Sequence, residues 1–277
     1  MNVNYLCPIC GQKLKKGEKS YICRNGHSFD ISRKGYVNLL TTKGRNPVKS
    51  GDNKEMIKAR SSFLDTGLYE PLVRKIGQIV SELTASIKEP VIIDSGCGEG
   101  YYTCNYASAV PNATVIGIDI SKHGIDHAAS RARIKSLDNV SFAVASAFSL
   151  PVRDECADVV ISCFAPVSND EYARVLKRGG RLVIACPTEK HLLGLKNVLY
   201  DTPYLNEPNS YALNKFAHEQ TEELEYDIEL SSSEQIMSLF TMTPYYYKTP
   251  AEAVERLRRL ERLKTEAGFE IRIYKKL

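Results

Sequence analysis

An open, mostly parallel α/β sheet preceded by a small metal-stapled module is the architecture this sequence predicts. Three observations carry it. A C-x2-C-x12-C-x3-H run lies near the N-terminus, strand-like and helix-like stretches alternate from residue 91 onward, and a G-x-G-x-G turn joins the first of those strands to a helix. The 277 residues leave room for one core of about 150–220 residues and an appendage. An apolar share of 43% and a charged share of 25% are ordinary for a globular chain. No stretch approaches the roughly 20 apolar residues that cross a bilayer, and the first residues lack a signal peptide's apolar core. A cytoplasmic protein with no membrane contact is expected.

The module comes first in the chain. Cys7, Cys10, Cys23 and His27 offer three thiolates and one imidazole, a full tetrahedral set for one structural zinc ion. Short spacing within each pair lets one tight turn aim two ligands at the same ion, and Gly11 and Gly26 stand where such turns need freedom. Four protein ligands close the site, so the ion holds structure and does no chemistry. Disulfides suit a cytoplasmic chain poorly, and a segment of about 30 residues with few apolar groups needs a staple. Cys97, Cys104, Cys156, Cys163 and Cys186 sit among apolar residues and read as small core hydrophobes.

Charge sharpens the division. Residues 1–60 carry 13 Lys/Arg against four acids, a balance of +9, while the remaining 217 residues sum to −5. A basic head on an acidic body fits a module that contacts phosphate backbone, or equally a solvated lysine-rich domain.

Residues 41–51 (TTKGRNPVKSG) read as a linker. Asp52 with Glu55 three residues on reads as a helix start, and Met56, Ala59, Phe63 and Leu64 give that helix one apolar face. A second helix is expected over 69–87, with Leu72, Ile76, Ile79, Val80 and Leu83 at helical spacing. The chain thus divides into a zinc module at 1–40, a linker and lead-in helices at 41–88, and a main domain at 89–277. The substrate region of that domain is expected at about 190–250.

Strands are expected at Val91–Asp94, Thr114–Asp119, Val140–Val144, Ala157–Cys163 and Arg181–Cys186, the last after the Lys177–Gly180 turn. Between the first strand and a helix from Tyr101 lie Gly96, Gly98, Glu99 and Gly100. A glycine turn there lets a nucleotide-like ligand approach the backbone. The spacing is not the dinucleotide G-x-G-x-x-G. Asp94, at the strand end, would oppose a pyrophosphate but suits the ammonium and sulfonium of S-adenosylmethionine. Asp119, with Ile120 beside it, can accept both ribose hydroxyls of an adenosine. Ala145-Ser146-Ala147 follows the third strand, where adenine contacts belong, and Ser162 to Pro166 follows the fourth, where a transferred methyl meets its acceptor.

The zinc pattern, GHSFDISRKGYVNLL, GDNKEMIKARSSFLDTGLYEPL, DSGCGEGYYT and MTPYYY together resemble the RlmA family. Its enzymes methylate N1 of a guanine in a 23S ribosomal RNA hairpin near the peptide exit tunnel. The resemblance runs from Cys7 to Tyr247. It implies a class I S-adenosylmethionine-dependent methyltransferase with a Rossmann-like, mostly parallel seven-stranded sheet and an RNA-contacting zinc domain. It also implies zinc on Cys7, Cys10, Cys23 and His27, and cofactor contacts by Tyr69, Gly100, Tyr101, Asp119 and His191. A 23S rRNA hairpin is the implied partner, and a dimer forming a groove for it the implied assembly. Ser95 departs from the Ile or Val common in the family and leaves the glycine geometry intact.

Loss of the guanine N1 proton must accompany methyl transfer, and the sequence names no acceptor for it. Phe164-Ala165-Pro166 lacks the side-chain carbonyl that amine-methylating enzymes place after the fourth strand, which is compatible with a ring nitrogen. His191 reads as a helix-surface residue by position and as a cofactor contact by resemblance, with a general-base role open. Asp170 and Glu171 read as a helix start. Of the rings between Tyr200 and Tyr247, roughly half belong to packing, and the Met242–Tyr247 loop is the choice for lining the acceptor pocket. A C-terminal helix is expected at about 250–267 and a closing strand at Phe269–Tyr274. Two other readings fit the core: a small-molecule methyltransferase, which leaves the basic head unexplained, and a non-catalytic RNA-binding S-adenosylmethionine sensor.

Overall fold

A computed structural model of the chain describes residues 3, 5–41 and 51–277; the linker expected at 41–51 falls almost wholly outside them. The N-terminal module holds β1 (Leu14–Lys16), β2 (Ser20–Cys23) and β3 (Ser28–Asp30) as a small antiparallel sheet, then β4 (Val37–Asn38). The lead-in helices are α1 (Lys54–Leu64) and α2 (Glu70–Thr84). The main domain runs β5 (Val91–Ser95), α3 (Tyr101–Ala109), β6 (Thr114–Asp119), α4 (Lys122–Ile134), β7 (Val140–Val144) and β8 (Ala157–Cys163). It continues through α5 (Asn169–Val175), β9 (Leu176–Pro187), α6 (Leu193–Leu199), β10 (Phe216–Leu230), α7 (Ser233–Thr241), a 3-10 turn at Pro244–Tyr247, α8 (Ala251–Arg258) and β11 (Leu263–Lys276).

The main sheet has the order β10-β11-β9-β8-β5-β6-β7-β4. Strands β4 to β9 pair in parallel, and β11 inserts antiparallel between β9 and β10. The chain winds outward from β5 in one direction and then, after β7, in the other. The crevice of such a sheet opens where that reversal falls, between the carboxyl ends of β5 and β8.

Both faces of the central strands are buried, which is why they read as continuous apolar runs. Alternate residues serve opposite faces. Ile92, Val159, Ile161, Val183 and Ala185 pack with α2, α3 and α6, whereas Ile93, Val160, Leu182 and Ile184 pack with Tyr172 and Val175 of α5. No helix separates β7 from β8, and the zinc module fills that place. Tyr5, Leu14, Tyr21, Val37 and Leu39 join Ile116, Ile118, Ala143, Leu150 and Val152 in the same buried cluster. The Tyr5 hydroxyl bonds to Ser141 Oγ at 3.0 Å, and the Leu6 N–H donates to the Pro151 carbonyl at 2.8 Å. Strand β4 then pairs with β7, adding an eighth strand to the seven expected.

Elsewhere the structure redraws several boundaries. Asn53, not Asp52, caps α1, its side chain accepting from the Met56 N–H at 2.9 Å. Asp52 instead pairs with Arg60. Helix α2 ends at Thr84, and the C-terminal helix stops at Arg258 because β11 begins at Leu263. The fifth strand starts at Leu176, before the Gly179–Gly180 pair. Strand β10 is not among the expected strands, although Leu224, Tyr226, Ile228 and Leu230 alternate with acids; it is an edge strand bearing Glu219, Glu222, Glu223, Glu225, Asp227 and Glu229, charge that discourages pairing with another chain.

Since the module covers part of the core, it unfolds with the rest. Tyr5→Ala should destabilise the chain by about 3–5 kcal/mol and lower the midpoint of one cooperative thermal transition seen by both near- and far-UV circular dichroism. Two separable transitions would refute the shared core.

Candidate cofactor and metal sites

In the module, the Sγ atoms of Cys7, Cys10 and Cys23 and a ring nitrogen of His27 all lie within 4.8 Å of one another. Cys7 Sγ and Cys23 Sγ are 3.5 and 3.4 Å from His27 Nδ1, and Cys10 Sγ is 3.8 Å from Cys23 Sγ. Zinc–sulfur bonds of about 2.3 Å and zinc–nitrogen bonds of about 2.0 Å in a tetrahedron give edges of this size. The donor set and spacing therefore fit one closed zinc site. Gly11 and Gly26, with φ of 72° and 81°, make the turns that bring the pairs together.

Buried charge collects in the loop after β5. The Gly96 and Cys97 N–H groups donate to the Ile118 carbonyl at 2.8 and 3.1 Å, folding the loop over the end of β6. Two of its glycines serve packing: a Cβ on Gly96 would fall 2.3 Å from Ala165 Cβ, and one on Gly100 2.6 Å from Ala128 Cβ. At Gly98 the only such neighbour among the described residues is an Arg60 guanidinium nitrogen at 3.5 Å, so just a flexible side chain stands over that backbone.

Asp94, Glu99 and Asp119 surround this loop. Asp94 is buried; its Oδ2 accepts from the Thr103 hydroxyl at 2.5 Å, while Oδ1 has no hydrogen-bond partner among the described residues. Burial pushes its carboxyl up to about 7. Asp119 takes one backbone N–H on each oxygen, from Gly98 at 2.9 Å and Ser121 at 2.7 Å. Each oxygen keeps a lone pair for a further donor. Burial also raises the Glu99 and Asp119 carboxyls. Glu99 accepts from the Tyr101 N–H at 3.1 Å and pairs with Arg131 at 2.7 Å. Its carboxylate is thus committed to anchoring the loop. Arg131, which no sequence motif flags, also stacks over the Tyr101 ring at 5.4 Å.

The lead-in segment lies against the same site. The Ser121 hydroxyl donates to the Asp52 carbonyl at 2.8 Å, and a Cβ on Gly51 would meet Ile120 Cγ2 at 2.8 Å. Ala147 is half-buried in the Ser146–Ser149 turn, while the Ala145 N–H donates to the Asp119 carbonyl at 3.0 Å.

Tyr69 and His191, 122 residues apart, meet in the core with Tyr69 Oη 3.3 Å from His191 Nε2. The Gly268 N–H donates to His191 Nδ1 at 3.3 Å, so the ring proton sits on Nε2 and points at Tyr69. The Tyr69 hydroxyl proton is then free for another acceptor. Burial pulls the His191 imidazole down to about 3 and holds the Tyr69 phenol well above its ordinary value. Both are neutral at pH 7, and His191, with both nitrogens engaged, is a poor proton acceptor. The helix-surface reading of His191 gives way to a buried one.

Lys196, unremarked in the sequence, is the hub beneath the aromatic segment. Its buried ammonium donates to the Tyr204 carbonyl at 2.9 Å and Asn206 Oδ1 at 2.6 Å, and lies 4.5 Å from the Tyr204 ring centre. Asn206 in turn bonds the His191 carbonyl at 3.2 Å and the Tyr245 hydroxyl at 3.3 Å. The Met242–Tyr247 loop is tied to the His191 segment by this network. It is also tied to α1, through Tyr246 to Glu55 at 3.3 Å and Tyr247 to Met56 Sδ at 3.0 Å.

An unpartnered buried carboxylate oxygen, a second carboxylate at the next strand end and an accessible glycine backbone fit a cationic nucleoside; a pyrophosphate would meet three buried acids. Residues 88–242 match a family model described as a methyltransferase domain, and residues 5–46 match one described as RlmA, N-terminal. The YxjB protein of Bacillus subtilis (strain 168), assigned by name to 23S rRNA (guanine-N(1)-)-methylation, is 34% identical over 93% of this chain and 92% of its own.

The chain belongs to the RlmA family.

A second relative, the 23S rRNA (guanine(748)-N(1))-methyltransferase of Streptomyces fradiae, is 33% identical over 71% of this chain and 68% of its own. Among solved structures the chain is similar to the YcgJ protein of Bacillus subtilis, with TM-score 0.48 and 19% identity over 70% of this chain and 96% of that one. As a member of the RlmA family the chain is an S-adenosylmethionine-dependent methyltransferase whose N-terminal ribbon takes one zinc ion. No helix among the described residues is long and apolar enough to cross a membrane.

Asp94 gives a signed pH prediction. A carboxyl whose folded pKa is raised contributes stability that is full below its unfolded pKa of about 3.9 and is lost as pH climbs through the folded value, here about 7. Asp94→Asn should therefore raise the ligand-free melting temperature more at pH 8 than at pH 5. The same variant should weaken S-adenosylmethionine binding at least about tenfold, measured by calorimetry. An unchanged pH dependence of melting would assign the titration elsewhere.

Proposed function

We propose that this enzyme transfers a methyl group from S-adenosylmethionine to N1 of a guanine in a 23S rRNA hairpin near the peptide exit tunnel, acting in the cytoplasm. The observation that carries the reading is the union, in one folding unit, of the buried-carboxylate crevice with an RlmA-type ribbon. Lys13, Lys15, Lys16, Lys19 and Arg24 on that ribbon are exposed, and none forms an ion pair among the described residues. Free surface cations of this kind suit phosphate contact.

S-adenosylmethionine supplies an electrophilic methyl on a sulfonium. In this reading Asp94 receives the ammonium on its free oxygen, and the Tyr69 hydroxyl, oriented by His191, donates to the cofactor carboxylate. Asp119 accepts the ribose hydroxyls above Gly98, with Ile120 and Ala147 flanking the adenosine. Gly96, Glu99, Gly100 and Tyr101 hold the loop in shape. Held there, the cofactor would supply the methyl to N1, the sulfur–carbon electron pair staying on the sulfur of S-adenosylhomocysteine and the N1 proton passing to solvent water. Protein groups contribute by placing the two partners in line and by excluding water.

Incubation with S-adenosylmethionine and unmodified 23S rRNA, followed by primer extension and nucleoside mass spectrometry, tests this directly. One reverse-transcriptase stop beside a hairpin guanine, with N1-methylguanosine in the digest, is the expected result. Measurable cofactor binding with no methylated RNA would replace it by a small-molecule acceptor. Replacing Lys13, Lys15, Lys16 and Lys19 with glutamate should raise KM for RNA at least about tenfold at 0.1 M salt and leave cofactor affinity unchanged.

A further inference from the structure

The loop after β8 holds a bulky aromatic residue in an unusual conformation. Phe164 has φ of 53°, in the left-handed region that favours glycine, and its side chain is 44% exposed. A strained non-glycine residue persists where its surroundings fix it, and strain of this kind gathers at functional sites. Here hydrogen bonds and one close contact hold the loop. The Phe164 N–H donates to the Ala185 carbonyl at 3.0 Å, and the Ser162 hydroxyl bonds to the Ala165 carbonyl at 3.3 Å. Tyr172 Oη donates to the Pro166 carbonyl at 3.0 Å, and Ala165 packs where a side chain on Gly96 would otherwise stand.

What the strain achieves is to hold one ring at the mouth of the crevice. Phe164 lies nearly parallel to His191, with centroids 6.5 Å apart and planes at 25°, and edge-on to Tyr102 and Phe269 at 6.3 and 5.8 Å. Its backbone sits between the carboxyl ends of β8 and β9, beside the Tyr69–His191 pair. Even with these three ring contacts, Phe164 keeps a large part of its apolar surface exposed at the crevice.

We propose that Phe164 is the stacking platform for the methyl-accepting base, fixing the plane of the ring so that its edge nitrogen faces the methyl. Nucleobases taken out of a stack are held by an aromatic face, whichever base is presented. A planar acceptor needs a platform even where no side-chain carbonyl is present to hold an amine, and Phe164-Ala165-Pro166 offers none. Phe164 thus touches the acceptor directly.

The inference rests on the nucleobase-acceptor reading, and the test separates the two. Full-length, zinc-loaded wild type, Phe164→Tyr, Phe164→Trp, Phe164→Leu and Phe164→Gly are compared on 23S rRNA and for S-adenosylmethionine affinity. Tyr and Trp should stay within about threefold of wild-type kcat/KM, and Leu and Gly should fall by at least about tenfold. Cofactor affinity should stay unchanged in all four variants. Gly, which relieves the backbone, should keep or raise the melting temperature while losing activity, a pattern that a merely structural ring does not give. Wild-type kcat/KM in Phe164→Leu would overturn the platform while leaving the RNA acceptor standing. A wild-type enzyme that modifies no 23S RNA would overturn the acceptor and the platform together.

Discussion

Three carboxylates buried around one glycine loop set the terms for the rest of the main domain. Asp94, Glu99 and Asp119 all lose solvation there, and burial raises each of their pKa values. The structure offsets them unequally. Glu99 has a guanidinium, Asp119 has two backbone N–H groups, and Asp94 has one hydroxyl and, among the described residues, no partner for its other oxygen. That residue of uncompensated negative charge is a standing affinity for a cation. The tight packing of Gly96 and Gly100 against Ala165 and Ala128 keeps the cluster from relaxing outward.

The zinc ribbon takes a structural place in this fold as well as a proposed role in recognition. With no helix between β7 and β8, the face of the sheet beside β6 and β7 needs another cover, and Tyr5, Leu14 and Val37 provide it. Zinc then stabilises more than its own loops: it fixes the shape of a surface that buries Ile116 and Ala143. The exposed lysines are held on a rigid mount beside the crevice's own sheet, where a tethered, freely moving ribbon would lose orientational precision.

Around Tyr69 and His191, neutral and aromatic groups line the crevice in place of carboxylates. His191 and Tyr69 are held neutral by burial, and their tautomeric chain runs from the Gly268 N–H through the imidazole to a free phenolic proton. Lys196 and Asn206 brace the same segment from below and link it to Tyr245.

Sequence alone determined the elements with strong local signals. The C-x2-C-x12-C-x3-H spacing specified the metal set, and apolar runs ending in Asp94 and Asp119 specified β5, β6 and the loop between them. Their causes are short-range: tight turns, glycine backbone and the burial of both strand faces. Tertiary structure decided whatever depends on distant partners. Strand β10 alternates Leu224, Tyr226, Ile228 and Leu230 with acids, but its place at the sheet edge comes only from pairing with β11; α8 gives way to β11 because Leu263 finds a place in the sheet, and Arg131 and Lys196 become buried partners only once Glu99 and Asn206 are beside them. Phe164 could be placed after β8 from the sequence, but not its left-handed backbone, since φ there is set by Ala185, Gly96 and Tyr172 from three separate elements. Local chemistry fixes which residues a segment contains; only packing across the sheet fixes which of them face one another.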